Sequence, residues 1–254
     1  MERRQFISNT IEYFCGAILC TAIHPIKSYS NSKTKNQPIS DLKLLGIKQP
    51  PLFGQGFNLR KPAAESFQKM INAAKKDGIK LYSLSSYRSF ERQKNIWNRK
   101  YKALLKKKNP PQQIIKSIIE FSSIPGTSRH HWGTDLDIID SSKTRPVDPL
   151  LAKHYLKGGI YHDLYQWLNK KGKDYGFYEV YTKDPKRTGY AYEPWHWSYA
   201  ELSIPYLKQY LTIDLQKHWK TSSAAGHAEF NKAFVNRFKR EWVLGINPCL
   251  IPES

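Results

Sequence analysis

Residues 133–140, GTDLDIID, constrain the fold of this chain more than any other stretch. In an extended strand successive side chains point to opposite faces, so Leu136 and Ile138 share one face while Asp135 and Asp137 share the other. The apolar face packs on a core and the carboxylate face lines a site. A second stretch, residues 192–199 (YEPWHWSY), has the same two-sided character: Trp195 and Trp197 share one face and His196 points the other way. Two such strands side by side put acid and imidazole groups on one polar face.

The remaining pattern surrounds these strands with helices. In residues 61–78, Ala64, Phe67, Ile71 and Ala74 recur at spacings of three and four, and Gly78 ends the helix. Residues 79–87 read as a strand, Ser89 caps a helix beginning at Phe90, and Pro111 opens another. A helix over residues 161–176 ends near Gly172 or Gly176, and residues 177–181 (FYEVY) form a strand. After Pro205 the chain is helical again, residues 228–242 being the clearest case. Helices followed by mixed strands and helices predict an α+β fold with a small, mainly antiparallel sheet flanked by helices.

The 254 residues are 40% hydrophobic and 13% aromatic, enough for a packed core, which excludes a wholly disordered chain. No apolar run reaches the roughly 20 residues a membrane-spanning helix needs. The formal charge of +20 implies an anionic partner or anionic surroundings. Nucleic acid is not expected: the lysines are scattered, with short runs such as Lys106, Lys107 and Lys108, and no RNP-like or zinc-finger pattern is present. A bacterial envelope, with its phosphate polymers and carboxylates, suits the charge, as does a merely solvated lysine surface.

Residues 1–28 are expected to be a signal peptide. The start MERRQF is basic, residues 13–23 (YFCGAILCTAI) are an apolar stretch of suitable length, and small residues allow cleavage after Ala22. RRQFI is similar to a twin-arginine export signal, which points to a periplasmic or secreted protein. A buried N-terminal helix is the alternative. Residues 29–44 read as a polar linker. Of the three cysteines, Cys15, Cys20 and Cys249, removal of the signal leaves Cys249, so no internal disulfide or cysteine-based zinc site is expected. Any metal must be held by histidine and carboxylate.

His130, Asp137 and His196 can supply the three protein ligands of a hydrolytic zinc site, with a fourth place for water. Glu193 lies three residues before His196 and on a straight strand points away from it; Pro194 puts it at the strand's entrance, where the backbone can turn it toward the metal. A carboxylate there can take a proton from water. The residues alone leave other readings open: satisfied histidines, turn or calcium-type aspartates, and core tryptophans.

The pattern S-x-H-x-x-G-x-x-x-D (Ser128, His130, Gly133, Asp137), followed by E-x-W-H (Glu193, Trp195, His196), resembles the VanY-like zinc D-alanyl-D-alanine carboxypeptidases. These belong to the wider lysostaphin-type and hedgehog-like zinc peptidase group. SSYRSFERQ, with Tyr87, Arg88 and Gln93, is similar to a third family segment. The resemblance covers residues 45–211, expected to form the zinc peptidase domain; residues 212–254 lie outside it and are expected to be a helical extension packed on that domain. It implies that His130, Asp137 and His196 bind Zn2+ on the sheet, that Glu193 is the general base and then acid, and that Arg88, Gln93 and Ser128 touch substrate. Arg88 also has a physical rationale: just ahead of a helix N-terminus, its guanidinium can grip a terminal carboxylate in two-pronged fashion. The implied activity is removal of D-alanine from peptidoglycan stem peptides by a monomer. An endopeptidase of the same fold and a non-catalytic zinc-stabilised wall binder are the alternatives, and the presence of Glu193 argues against the binder. A serine hydrolase built on Ser128 is disfavoured because no GxSxG is present. Asp135 departs from the family, which usually has a small residue there; it can hold a ligand histidine from behind, meet a substrate amine, or compete for the metal. His131, beside His130, is a second ambiguity, resolved for His130 by the spacing from Ser128.

Overall fold

The computed structural model describes residues 39–253. The expected signal peptide, and the expected linker up to residue 38, lie outside the described residues. The end of that linker differs from expectation: Asp41–Leu44 forms a helical turn, α1, because Leu44 and the following Leu45 are buried in the core.

Helix α2 (Lys61–Lys76) forms where the apolar periodicity predicted it, with Ala64, Phe67, Met70 and Ala74 buried along one stripe. It stops at Asp77, and Gly78 takes the left-handed φ of +81° that turns the chain into β1 (Leu81–Ser85). Ser89 caps α3 (Phe90–Leu105), its hydroxyl accepting from Arg92 N at 3.2 Å. Pro111 opens α4 (Pro111–Ile119), whose four isoleucines are all buried. Next come β2 (Asp135–Asp140), α5 (His162–Lys171), β3 (Phe177–Tyr181), β4 (Glu193–Tyr199) and α6 (Ala200–Tyr210). Helix α6 begins ahead of Pro205 and includes it.

The four strands form one antiparallel sheet in the order β1-β2-β4-β3. The α+β class with a small antiparallel sheet is therefore as expected. Leu136, Ile138 and Trp197 point into a core shared with α2 and α5, including Phe67, Leu164 and Leu168. A second core gathers Trp97 of α3, the isoleucines of α4, Leu207 and Tyr210 of α6, and the C-terminal helices α7 (Leu215–Thr221) and α8 (Lys232–Phe238).

The long helix expected over residues 228–242 is broken. Asn231 starts α8 by accepting from Phe234 N at 3.0 Å, and the chain then widens into a π-helical turn, Lys239–Val243. Three indole N–H groups tie the C-terminal segment to α3, α4 and the loop that follows α4: Trp97 donates to Ala225 O at 2.8 Å, Trp219 to Pro125 O at 2.9 Å and Trp242 to Ile119 O at 3.2 Å.

Candidate metal centre and substrate cleft

The spacing from Ser128 to Asp137 has a backbone cause. Arg129–Trp132 is a single 3-10 turn, and Gly133 ends it at φ +70°. A Cβ on Gly133 would meet the Leu52 side chain at 3.1 Å, so both space and conformation call for glycine. The turn presents His130, and the chain enters β2 two residues after Gly133, with Asp137 on the site face. Asp137 is the direct neighbour of His196 in the β2–β4 register.

His130, Asp137 and His196 are buried, and one donor atom of each lies within 4.8 Å of the others. His130 Nε2 is 3.4 Å from Asp137 Oδ2, and His196 Nδ1 is 3.6 Å from Asp137 Oδ1. The two imidazoles present different nitrogens. His130 Nδ1 is 2.8 Å from Ser86 O, which as an acceptor fixes the proton there and leaves Nε2 facing the centre. His196 Nε2 is 3.1 Å from Asp135 Oδ1, which leaves Nδ1 facing the centre.

Glu193 reaches the same point despite its odd separation from His196. Tyr181 pairs with Glu193 while Glu179 pairs with Trp197, so β4 carries a bulge between them that re-aims Glu193. Its Oε2 lies 3.2 Å from His196 Nδ1, and its side chain keeps 19% exposure at the cleft.

The electrostatics favour a cation here. Burial acts to raise the Asp137 carboxyl, but His130 and His196 hold it below the usual carboxylate range. Among the described residues its buried Oδ1 has no hydrogen-bond partner. Burial pushes His130 down, whereas at His196 the same burial is overcome by hydrogen bonds to Asp135 and Glu193, which lift it to about 9. The acid groups thus hold a proton on His196 where a metal ion would otherwise satisfy them. Two imidazole nitrogens and an orphaned carboxylate oxygen are a donor set for a divalent metal.

These groups lie in a cleft of about 570 Å³ that Arg88, Ser128, His130, Asp137, Glu193 and His196 line together. Arg88 Nη1 donates to Gln93 Oε1 at 2.9 Å and Nη2 to Ser85 Oγ at 3.1 Å. Burial pulls its guanidinium below its ordinary value, and Asp137 and Glu193 oppose that shift. Gln93 differs from expectation: it is fully buried and does not line the cleft. It stands behind Arg88, its other end donating to Ser123 O at 2.7 Å, so it orients the arginine instead of meeting a ligand. Asp135, fully buried as well, sits behind His196.

His131 has no part in the cluster. Its Nε2 accepts from Gly126 N at 3.2 Å and its Nδ1 lies 2.6 Å from Arg88 O, an acceptor, so both nitrogens are used by backbone. Burial drives its pKa down to about 3.

Sequence reasoning missed Arg129 and Tyr181. Tyr181 lines the cleft edge-on to His196, ring centroids 5.0 Å apart. Arg129 donates from Nε to Asp135 Oδ1 at 2.9 Å. Its proximity to Asp135, six residues on around a glycine turn, was the available signal. Trp195 serves both core and cleft: it lines the cleft and packs on Tyr155, ring centroids 5.8 Å apart.

Residues 56–202, more than half of the chain, match the sequence profile of a family described as VanY, D-alanyl-D-alanine carboxypeptidase. Among curated relatives, YodJ of Bacillus subtilis (strain 168) is 32% identical over 56% of this chain and 46% of its own length. A D-alanyl-D-alanine carboxypeptidase of Enterococcus faecalis (strain ATCC 700802 / V583) is 28% identical over 52% of this chain and 45% of its own. The chain thus spans about half the length of these two relatives. Among solved structures, VanYB in complex with D-alanine-D-alanine aligns over 68% of this chain and 90% of that one, at 22% identity and a TM-score of 0.49.

Proposed function

The chain belongs to the VanY D-alanyl-D-alanine carboxypeptidase family, and from that premise we propose that it is a zinc-dependent carboxypeptidase that removes the terminal D-alanine from peptidoglycan stem peptides. The observation that carries the reading is the position of Glu193: a part-exposed carboxylate 3.2 Å from His196, beside a three-donor cluster at the floor of an open cleft. A pure metal-binding fold has no use for it.

His130 Nε2, an oxygen of Asp137 and His196 Nδ1 would hold the ion. Zinc suits two nitrogens and one carboxylate oxygen, and when bound would supply a Lewis acid that polarises the scissile carbonyl and acidifies the attacking water. Arg88 grips the substrate's terminal carboxylate, with Gln93 and Ser85 fixing the plane of its guanidinium. Ser128, on the cleft wall, contacts the peptide. Glu193 Oε2 accepts a proton from the water as its oxygen bonds to the carbonyl carbon. It returns that proton to the departing amine as the C–N bond breaks, so D-alanine leaves neutral at nitrogen. Asp135 holds His196 from behind. A peptidoglycan substrate puts the protein outside the cytoplasmic membrane, and the basic-then-apolar residues 2–23 support an exported protein. The net charge of +20 suits an envelope of anionic polymers.

The test uses zinc-loaded protein and matched peptides with free or amidated C-termini. Losing a charge-assisted contact of this kind costs about 2–5 kcal/mol, so Arg88→Ala should strongly impair cleavage of the free-acid peptide, and the amidated peptide should be a poor substrate for the wild type. Equal cleavage of both by the wild type would instead identify an endopeptidase.

A further inference from the structure

Asp135 is a fully buried carboxylate two residues from Asp137 on the same strand face, and four donors saturate it. Its Oδ1 takes Arg129 Nε at 2.9 Å and His196 Nε2 at 3.1 Å. Its Oδ2 takes Thr134 Oγ1 at 2.5 Å and Ser198 Oγ at 3.0 Å. Arg129 is itself 5% exposed; its Nη2 donates to Ser198 Oγ at 2.8 Å and its guanidinium carbon lies 4.6 Å above the Trp132 ring. The planar fork is therefore fixed on three sides.

We propose that Arg129 is a positioning residue that locks Asp135 as the proton acceptor of His196 Nε2, so that His196 presents Nδ1 to the metal. The inference deepens the metal-site reading above and rests on it. Asp135 meets the His196 ring nitrogen opposite the one that faces the cluster, so it acts on the site through His196. Paired with Arg129 it is neutral overall, and its remaining capacity goes to the histidine. His130 needs no such device, because its acceptor is the backbone carbonyl of Ser86.

The experiment is a double-mutant cycle on the full chain. Zinc affinity is read by competition with a chromophoric chelator, and the protonated nitrogen of His196 by ¹⁵N imidazole spectra. Arg129→Met should weaken zinc by roughly 10- to 100-fold and disturb the pattern of protonated Nε2 and liganded Nδ1. In an Asp135→Ala background the same substitution should change zinc affinity by less than about two-fold, because its route to the histidine is gone. Arg129→Lys, which keeps the charge and loses the fork, should recover only part of the affinity. Should Arg129→Met not fold, Ser198→Ala, which removes one contact to Arg129 and one to Asp135, must still shift the His196 nitrogens. Unchanged zinc affinity and unchanged ¹⁵N pattern in Arg129→Met would overturn the proposal, as would an undiminished Arg129→Met effect in the Asp135→Ala background. A wild type that binds zinc tightly but releases no D-alanine would sink the carboxypeptidase reading and leave this one standing.

Discussion

At the scale of single residues, Glu193 separates an enzyme from a binder. Glu193→Gln keeps the shape and hydrogen-bonding reach but cannot accept a proton, so it should retain one zinc per chain while turnover falls by roughly a hundred- to ten-thousand-fold. Zinc content and D-alanine release, measured on one sample, check this; near-normal turnover would remove Glu193 from the proposed chemistry. His131 gives a second prediction, in stability. Its folded pKa of about 3 lies below that of a free imidazole, about 6.5. Between those values the unfolded chain binds the extra proton, so stability is full above pH ~6.5 and is lost as pH falls toward 3. Denaturation across that window should show the slope in the wild type and a flatter one in His131→Asn, which is itself destabilised by about 1–3 kcal/mol for its lost buried hydrogen bonding. Much of the cluster was legible, because strand parity puts Asp137 and His196 on polar faces and the family motif counted from Ser128 picks out His130 over His131. Gln93 backs Arg88 without lining the cleft, and a polar residue five positions on from an arginine looks the same in sequence whether it faces ligand or backs the arginine. The contact of Arg129 with Asp135 depends on a turn whose geometry the sequence does not spell out.

At the scale of elements, the C-terminal helices hold the segment that carries Ser128 and His130. Trp219 of α7 is 1% exposed, packs on Phe230 at 4.8 Å, and anchors the Pro125 carbonyl just ahead of that segment. Tyr210 at the end of α6 holds the next carbonyl, Gly126 O, at 2.8 Å. Trp219→Ala should therefore destabilise by about 3–5 kcal/mol and weaken zinc binding although it touches no ligand. Thermal unfolding with chelator titration checks both; lost stability with wild-type zinc affinity would show that the helices do not support the site. Helices α2, α3 and α4 were readable from periodicity, a capping serine and an initiating proline. The break at Asn231 was not, because an asparagine within an apolar period looks like a tolerated helix residue until its side chain caps a new start. The β4 bulge was hidden for a similar reason: register belongs to a pair of strands, and the sequence of one strand does not contain it.

At the scale of the whole molecule, the sheet divides the labour. One face closes the core against α2 and α5, and the other carries acid and imidazole groups into an open cleft. That division was legible from two short stretches, 133–140 and 192–199, because each alternates between apolar and polar side chains. The basic charge and the family together favour an envelope location, and the exported form is expected to begin at Ile23; N-terminal sequencing of protein recovered outside the cytoplasm reads this directly, and an intact Met1 there would contradict it. The most direct test of the central claim is mass analysis of products after zinc-loaded protein meets a stem pentapeptide ending in D-Ala-D-Ala. The expected products are a tetrapeptide and one equivalent of free D-alanine, both lost when zinc is chelated and restored when it is returned. An intact pentapeptide with zinc bound, or fragments cut only at internal bonds, would contradict it.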